Sequence, residues 1–216
     1  MLKLIIGNKN YSSWSMRPWL LLTQAGIPFE ETTVWLGEPD SKANIARHSG
    51  SGTVPVLYDG ELRIGDSLAI CEYLAERFPD KQLWPQDAAL RARARSAAAE
   101  MHSSFSALRS KMPMNIRNRF PGKGMSIEAA ADITRISDLW AESLARSGGP
   151  WLFGQFGVAD AMYAPVIFRF QTYGVALAGP AAAYQQTMLA TPALVKLAEL
   201  AAAEGHAQTR YDSLYT

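Results

Sequence analysis

Asn10-Tyr11-Ser12-Ser13-Trp14-Ser15-Met16-Arg17-Pro18-Trp19 places three serine hydroxyls where an apolar strand gives way to a helix. The strand is Leu2 to Ile6, a run too short for a buried helix, and Gly7-Asn8-Lys9-Asn10 breaks it. From Met16 to Thr23 the residues are mostly large and apolar. Gly26 then offers a C-cap and Pro28 blocks continuation. Proline is tolerated in a first helical turn, so Pro18 predicts a helix start near Ser15. The serines then fall at or just before the helix N-terminus, where unpaired N–H groups and the positive dipole end favour an anion or a thiolate. Simple helix capping also accounts for serines at such a place.

Beyond this helix, Phe29 to Trp35 is rich in β-branched and aromatic residues and reads as a second strand, and Ser41 to Ala46 as a short helix. Two short strands flank Asp59-Gly60, a strong hairpin signal. Asp66-Ser67 opens a helix whose apolar residues Ile70, Leu74 and Phe78 recur every fourth position until Pro79. The element order is βαβ followed by ββα, with the short helix between. Pro55 lacks an N–H for the ladder. A cis Val54–Pro55 bond would turn the Val54 backbone towards an extended ligand, and a trans edge-strand proline fits the pattern as well.

The second half changes character. From about Asp87 onward alanine, leucine and arginine dominate and helical periodicity takes over. Met101, Phe105, Leu108 and Met112 make one apolar stripe, and Ile133, Ile136, Trp140 and Leu144 another. Pro79 to Pro85, carrying Leu83 and Trp84, reads as a linker that docks an aromatic residue, and Thr191-Pro192 as the start of the last helix, ended by Gly205. Ala161 to Phe170 reads as a buried central helix, with Asp160 placed to bond back to the first-turn amides as a structural cap. The second part is an all-α helical bundle. Arg169 lies in that apolar helix and needs a partner, and an internal acid is expected ahead of a carboxylate-bearing substrate.

Composition removes several function classes. The chain has 216 residues, 48% hydrophobic and 19% charged, with a net charge of +1 and its basic residues spread out, so neither nucleic acid nor an anionic membrane is an expected partner. No run is long enough for a membrane span and no signal-peptide pattern opens the chain, which points to the cytoplasm. The single Cys71 excludes an internal disulfide or a Cys-x-x-Cys pair, and three scattered histidines give no metal-ligand spacing.

Four motifs in order, Ser12-Ser13-Trp14-Ser15-Met16-Arg17, Thr53-Val54-Pro55-Val56-Leu57, Asp66-Ser67-Leu68-Ala69-Ile70 and Val158-Ala159-Asp160 with Ala164-Pro165, resemble those of cytosolic glutathione S-transferases. The serine-type start is similar to the zeta class and related bacterial enzymes. The resemblance implies an α/β thioredoxin-like domain over residues 1–80, βαβαββα with a mixed four-stranded sheet, and an all-helical domain over 86–216 that contributes the electrophile site. It implies glutathione as co-substrate, a small hydrophobic electrophile as its partner in conjugation, and a homodimer, with Arg91, Arg93 and Arg95 either lining the subunit cleft or forming a solvated face.

Carried over residue by residue, Ser12 matches the hydroxyl that bonds the glutathione sulfur, with Ser13 and Ser15 as neighbouring alternatives. Val54 beside a cis Pro55 matches the backbone that pairs with the cysteinyl unit. Asp66 and Ser67 match the groups that hold the γ-glutamyl end. The electrophile pocket of such a fold implicates Tyr11, Trp14, Met112, Met114, Asn115, Arg117, Arg169 and Tyr173, with adaptable thioethers suiting a permissive pocket. Trp14 stands where the zeta motif has cysteine, Gly157 where the buried helix usually has Ser or Thr, and Asp66 where most classes carry Glu or Gln. Maleylacetoacetate isomerisation and a non-catalytic binding or regulatory role are the alternatives that the resemblance admits.

Overall fold

Residues 1–215 are described by the computed structural model; Thr216, the last residue of the expected second domain, lies outside them. The first part runs β1 (Leu2–Ile6), α1 (Ser13–Gln24), β2 (Phe29–Thr33), α2 (Ser41–Ala46), β3 (Val56–Asp59), β4 (Leu62–Gly65) and α3 (Ser67–Arg77). The sheet order is β2-β1-β3-β4, with β1 parallel to β2 and antiparallel to β3. This is the expected mixed four-stranded, thioredoxin-like sheet. The apolar run of β1, interrupted only by Lys3, is explained by burial on both faces. Leu4 and Ile6 pack on one side with Leu20, Leu57 and Ile70, and Ile5 on the other with Val34, Ile45 and Val56. Gly60, at φ 60°, makes the hairpin turn between β3 and β4.

After a 3₁₀ turn at Pro79–Lys81 come α4 (Ala88–Ser103), α5 (Ser106–Lys111), α6 (Ile127–Ser147), α7 (Val158–Tyr173), α8 (Gly179–Leu189), α9 (Pro192–Ala203) and α10 (Thr209–Asp212). α7 is the central helix, buried along nearly its whole length and packed against α1 and α4. Asp160 caps it. One carboxylate oxygen accepts from the Gly157 N–H at 3.0 Å, and the other from the Leu152 N–H at 3.1 Å and the Tyr184 hydroxyl at 2.9 Å.

Three sequence expectations need correction. α1 begins at Ser13, not near Ser15, so Pro18 lies in its second turn. The one backbone bond lost there is tolerated because this face of α1 is buried against α3 and α7. The stripe from Met101 to Met112 is buried throughout but is not one helix. Phe105, at φ 59°, turns the chain between α4 and α5 while keeping its ring in the core. Thr191-Pro192 does start α9, yet α9 is followed by the single-turn α10.

Gly157 replaces the usual hydroxyl cap for a steric reason. A Cβ at this position would sit 2.5 Å from the Leu83 carbonyl oxygen, which accepts from the Val158 N–H at 3.0 Å. Its φ of −151° is open to any residue, so close approach to the linker is the constraint. Gly157→Ala is therefore expected to cost about 2 kcal/mol, read as a lower urea midpoint at unchanged slope. A wild-type midpoint would mean that the linker yields freely.

Candidate active site

The turn from β1 into α1 is closed by Asn8, whose carbonyl accepts from the N–H groups of Tyr11 at 3.2 Å and Ser12 at 2.8 Å. Gly7 leaves room for Leu36 here: a Cβ would lie 2.5 Å from Leu36 Cδ1 and 3.1 Å from Ser12 Cβ, so the Leu36 side chain would have to shift. Ser12 is the N-cap of α1. Its Oγ accepts from the Ser15 N–H at 3.4 Å and donates to Ser15 Oγ at 2.8 Å, while Ser15 Oγ also accepts from the Gly7 N–H at 3.0 Å. Ser15 is 2% exposed and faces inward, so Ser12 and Ser13 are the hydroxyls presented to the cleft.

The Val54–Pro55 bond is cis, and the β3 ladder begins only at Val56. The Val54 N–H and C=O thus have no partner in the sheet among the described residues. Asp66, at φ 70°, is the N-cap of α3, with Oδ1 accepting from the N–H groups of Leu68 at 2.8 Å and Ala69 at 3.1 Å. Its Oδ2 lies 2.7 Å from His102 Nε2. Burial pushes this carboxyl up, but His102 and the two amides outweigh it and hold the pKa below the ordinary value. Ser67 is buried, and its Oγ accepts from Arg17 Nη1 at 3.3 Å.

A cavity of about 550 Å³ opens beside α1, lined among others by Tyr11, Ser12, Ser13, Trp14, Val54 and Met114. Two arginines, Arg109 and Arg169, and no acidic residue line it. The internal acid expected for Arg169 is absent. Its Nε donates to the Met112 carbonyl at 2.9 Å and its Nη2 to Ser13 Oγ at 3.4 Å, and no carboxylate among the described residues makes a salt bridge with it. The cap carboxylate of the same helix, Asp160, is spent on its own N-terminus. Burial, then the neighbouring Arg109 cation, press the Arg169 pKa down to about 10. Burial, then Arg169 and Arg109, press Arg17 down to about 9. Burial lowers the Arg109 pKa too, and at Arg109 and Arg169, which line the cavity, an incoming anion would offset the cost of the buried charge.

The other sequence-selected residues lie elsewhere. Pro55, Asp66, Ser67 and Met112 sit outside this lining. Asn115 is fully buried, accepting from Asn10 Nδ2 at 3.0 Å and donating to Asp212 Oδ1 at 2.8 Å. Tyr173 donates to the Pro113 carbonyl at 3.0 Å, and Arg117 donates to the Glu204 carbonyl and to the Tyr11 hydroxyl. These three residues brace the wall from behind.

Sequence reading missed Arg109 and Tyr211, both in the lining. Arg109 lies one position off the Leu108–Met112 stripe, a weak signal. Tyr211 belongs to a C-terminal strap that crosses the α1 turn and stacks on Tyr11 at 5.5 Å. Glu204 accepts from the N–H groups of Lys9 at 2.6 Å and Asn10 at 3.1 Å, and Asp212 accepts from the Tyr11 hydroxyl at 2.7 Å. No helix among the described residues is long and apolar enough to cross a membrane, and none of their His, Cys, Asp or Glu side chains cluster as metal ligands.

Comparison with known proteins places these features in context. Residues 11–77 match the family model for the glutathione S-transferase N-terminal domain, and residues 87–186 that for the glutathione S-transferase C-terminal domain. The chain is 31% identical over 159 residues to glutathione S-transferase 1 of Dianthus caryophyllus, covering 72% of each chain. It is 29% identical over 209 residues to maleylacetoacetate isomerase of Pseudomonas aeruginosa, covering 94% of this chain and 92% of that one. A crystal structure of a glutathione transferase homolog from Burkholderia with bound glutathione superimposes with a TM-score of 0.71 at 22% identity, covering 93% of this chain and 97% of that one.

Proposed function

Since this chain belongs to the glutathione S-transferase family, we propose that it binds glutathione and joins it through its sulfur to a small electrophile held beside Arg109 and Arg169. The observation that carries this reading is a cationic, acid-free cavity opening directly on Ser12 and Ser13 at a helix N-terminus. When bound, glutathione supplies a thiol whose ionised form is the nucleophile.

In this reading Ser12 turns its proton from Ser15 Oγ to the sulfur. A donor O–H beside the N-terminus of α1 then favours thiolate over thiol. Ser13 is the second hydroxyl, oriented by Arg169. The Val54 N–H and C=O, free of the ladder, suit an extended cysteinyl backbone. Ser67, backed by the Arg17 cation at the start of α3, suits the γ-glutamyl carboxylate. Asp66 suits the ammonium, which takes the place of His102 at Oδ2. The residues present therefore fit the tripeptide.

The unpaired Arg109 and Arg169 favour an electrophile that carries a carboxylate. They also support a second reading, glutathione-dependent cis–trans isomerisation of the maleylacetoacetate type, in line with the P. aeruginosa relative. Supplying maleylacetoacetate with glutathione separates the two: isomerisation leaves glutathione unconsumed, conjugation depletes it. We extend the proposal to a cytoplasmic homodimer acting in detoxification, with residues 1–80 holding glutathione and 86–216 contributing the electrophile wall.

Isothermal calorimetry with glutathione tests the binding step, and no heat would overturn it. Charge-assisted hydrogen bonds are worth about 1.5–3 kcal/mol, so Arg169→Leu is expected to raise KM for a carboxylate-bearing electrophile about 10- to 100-fold. An unchanged KM would remove Arg169 from substrate binding.

A further inference from the structure

Trp14 is the site residue that departs most from the serine-type motif, and its surroundings explain what it does. The ring is half-buried at the second position of α1 and lines the cavity. Two guanidinium carbons lie close to its centroid, Arg17 Cζ at 4.2 Å and Arg109 Cζ at 4.6 Å, and the His102 ring meets it edge-on at 5.3 Å. Neither arginine makes a salt bridge among the described residues, and each repels the other and Arg169.

Arg17 is fixed independently, by the Met162 carbonyl at 3.2 Å and Ser67 Oγ at 3.3 Å. Arg109 is only half-buried, and one nitrogen, Nη1, donates to the carbonyls of His102 and Ser104 at 3.2 Å each, at the junction of α4 and α5. Its guanidinium also lies over the Trp14 ring, and an indole is the strongest of the aromatic partners for a cation.

We propose that Trp14 is a positioning residue: its ring holds the Arg109 guanidinium at the cavity wall, against repulsion from Arg17 and Arg169, and so sets a preference for a second substrate bearing a carboxylate. The inference rests on the reading of this cavity as the electrophile site. It ties α1, which carries the serines, to α5, which carries the cation, so that both move as one wall.

The test uses the full-length protein and a matched pair of electrophiles, 4-chloro-3-nitrobenzoate and its methyl ester. The readout is the ratio of their kcat/KM values, with glutathione affinity followed in parallel by calorimetry. Trp14→Leu is expected to lower the carboxylate-to-ester ratio about tenfold, chiefly through KM, and Trp14→Phe to recover most of it. Arg109→Gln is expected to lower the ratio as much, and adding Trp14→Leu to that variant to change it little further. A wild-type ratio in Trp14→Leu, or full additivity of the two substitutions, overturns the role of Trp14. Should Trp14→Leu not fold, an unchanged ratio in Arg109→Gln overturns it equally. If glutathione binds but Arg109→Gln and Arg169→Leu both leave the ratio unchanged, the reading of the cavity falls as well.

Discussion

Ser12→Ala is expected to lower kcat for glutathione conjugation about 10- to 100-fold, the worth of one hydrogen bond to a charged sulfur. Ser13→Ala is expected to lower it less, because Ser12 is the proposed donor to the sulfur and Ser13 only the second hydroxyl, accepting from Arg169. The pH profile carries the decisive signature. Loss of the donor raises the pKa of the bound thiol, so the Ser12→Ala profile shifts to higher pH and activity recovers as pH rises. Ser12 is also the α1 cap, and its removal costs about 1 kcal/mol of stability. A thermal melt separates that loss from the kinetic one. A larger defect in Ser13→Ala than in Ser12→Ala would move the donor role to Ser13.

Asp160→Ala is expected to destabilise the protein by roughly 3–5 kcal/mol, because three buried donors lose their acceptor together. For a chain of this size that is a fall in melting temperature of about 10 °C or more. Burial raises the Asp160 pKa from 3.8 to about 6, while the Leu152 and Gly157 amides and the Tyr184 hydroxyl pull the other way. With the folded value above the unfolded one, the contribution is complete below about pH 4 and declines as pH rises through about 6. Urea unfolding of wild type and Asp160→Ala at several pH values between 4 and 7 checks both the size and the slope. A flat difference across that range would contradict the raised pKa.

Much of the fold is written locally. Leu2 to Ile6 reads as a strand because a covered strand needs apolar residues on both faces, and both faces are covered. Asp160 reads as a cap because a buried helix leaves orphan amides that only a nearby acceptor can satisfy. The breaks are harder to read. Phe105 keeps helical spacing in sequence while adopting a left-handed backbone, since the core fixes where its ring goes and not how the chain arrives there.

The candidate site is legible in its first half only. Ser12, Ser13 and Val54 belong to short motifs with a fixed local geometry. The cationic wall is assembled from α5 and α7, at positions 109 and 169, with Arg17 of α1 buried behind it, so no local pattern announces it. Rules for buried charge supply Arg169 with an acid, and the molecule leaves it facing a cavity instead. The strap from Glu204 to Asp212 has no apolar period at all and is held by individual hydrogen bonds to Lys9, Asn10 and Tyr11.

That strap has a consequence for biogenesis. The carboxylate that pins the Lys9 amide stands 195 positions further along the chain. In N-to-C synthesis the serine turn is therefore made long before Glu204, which clamps it, and Tyr211, which lines the cavity beside it. The candidate cavity is complete only once residues 204–212 have been made.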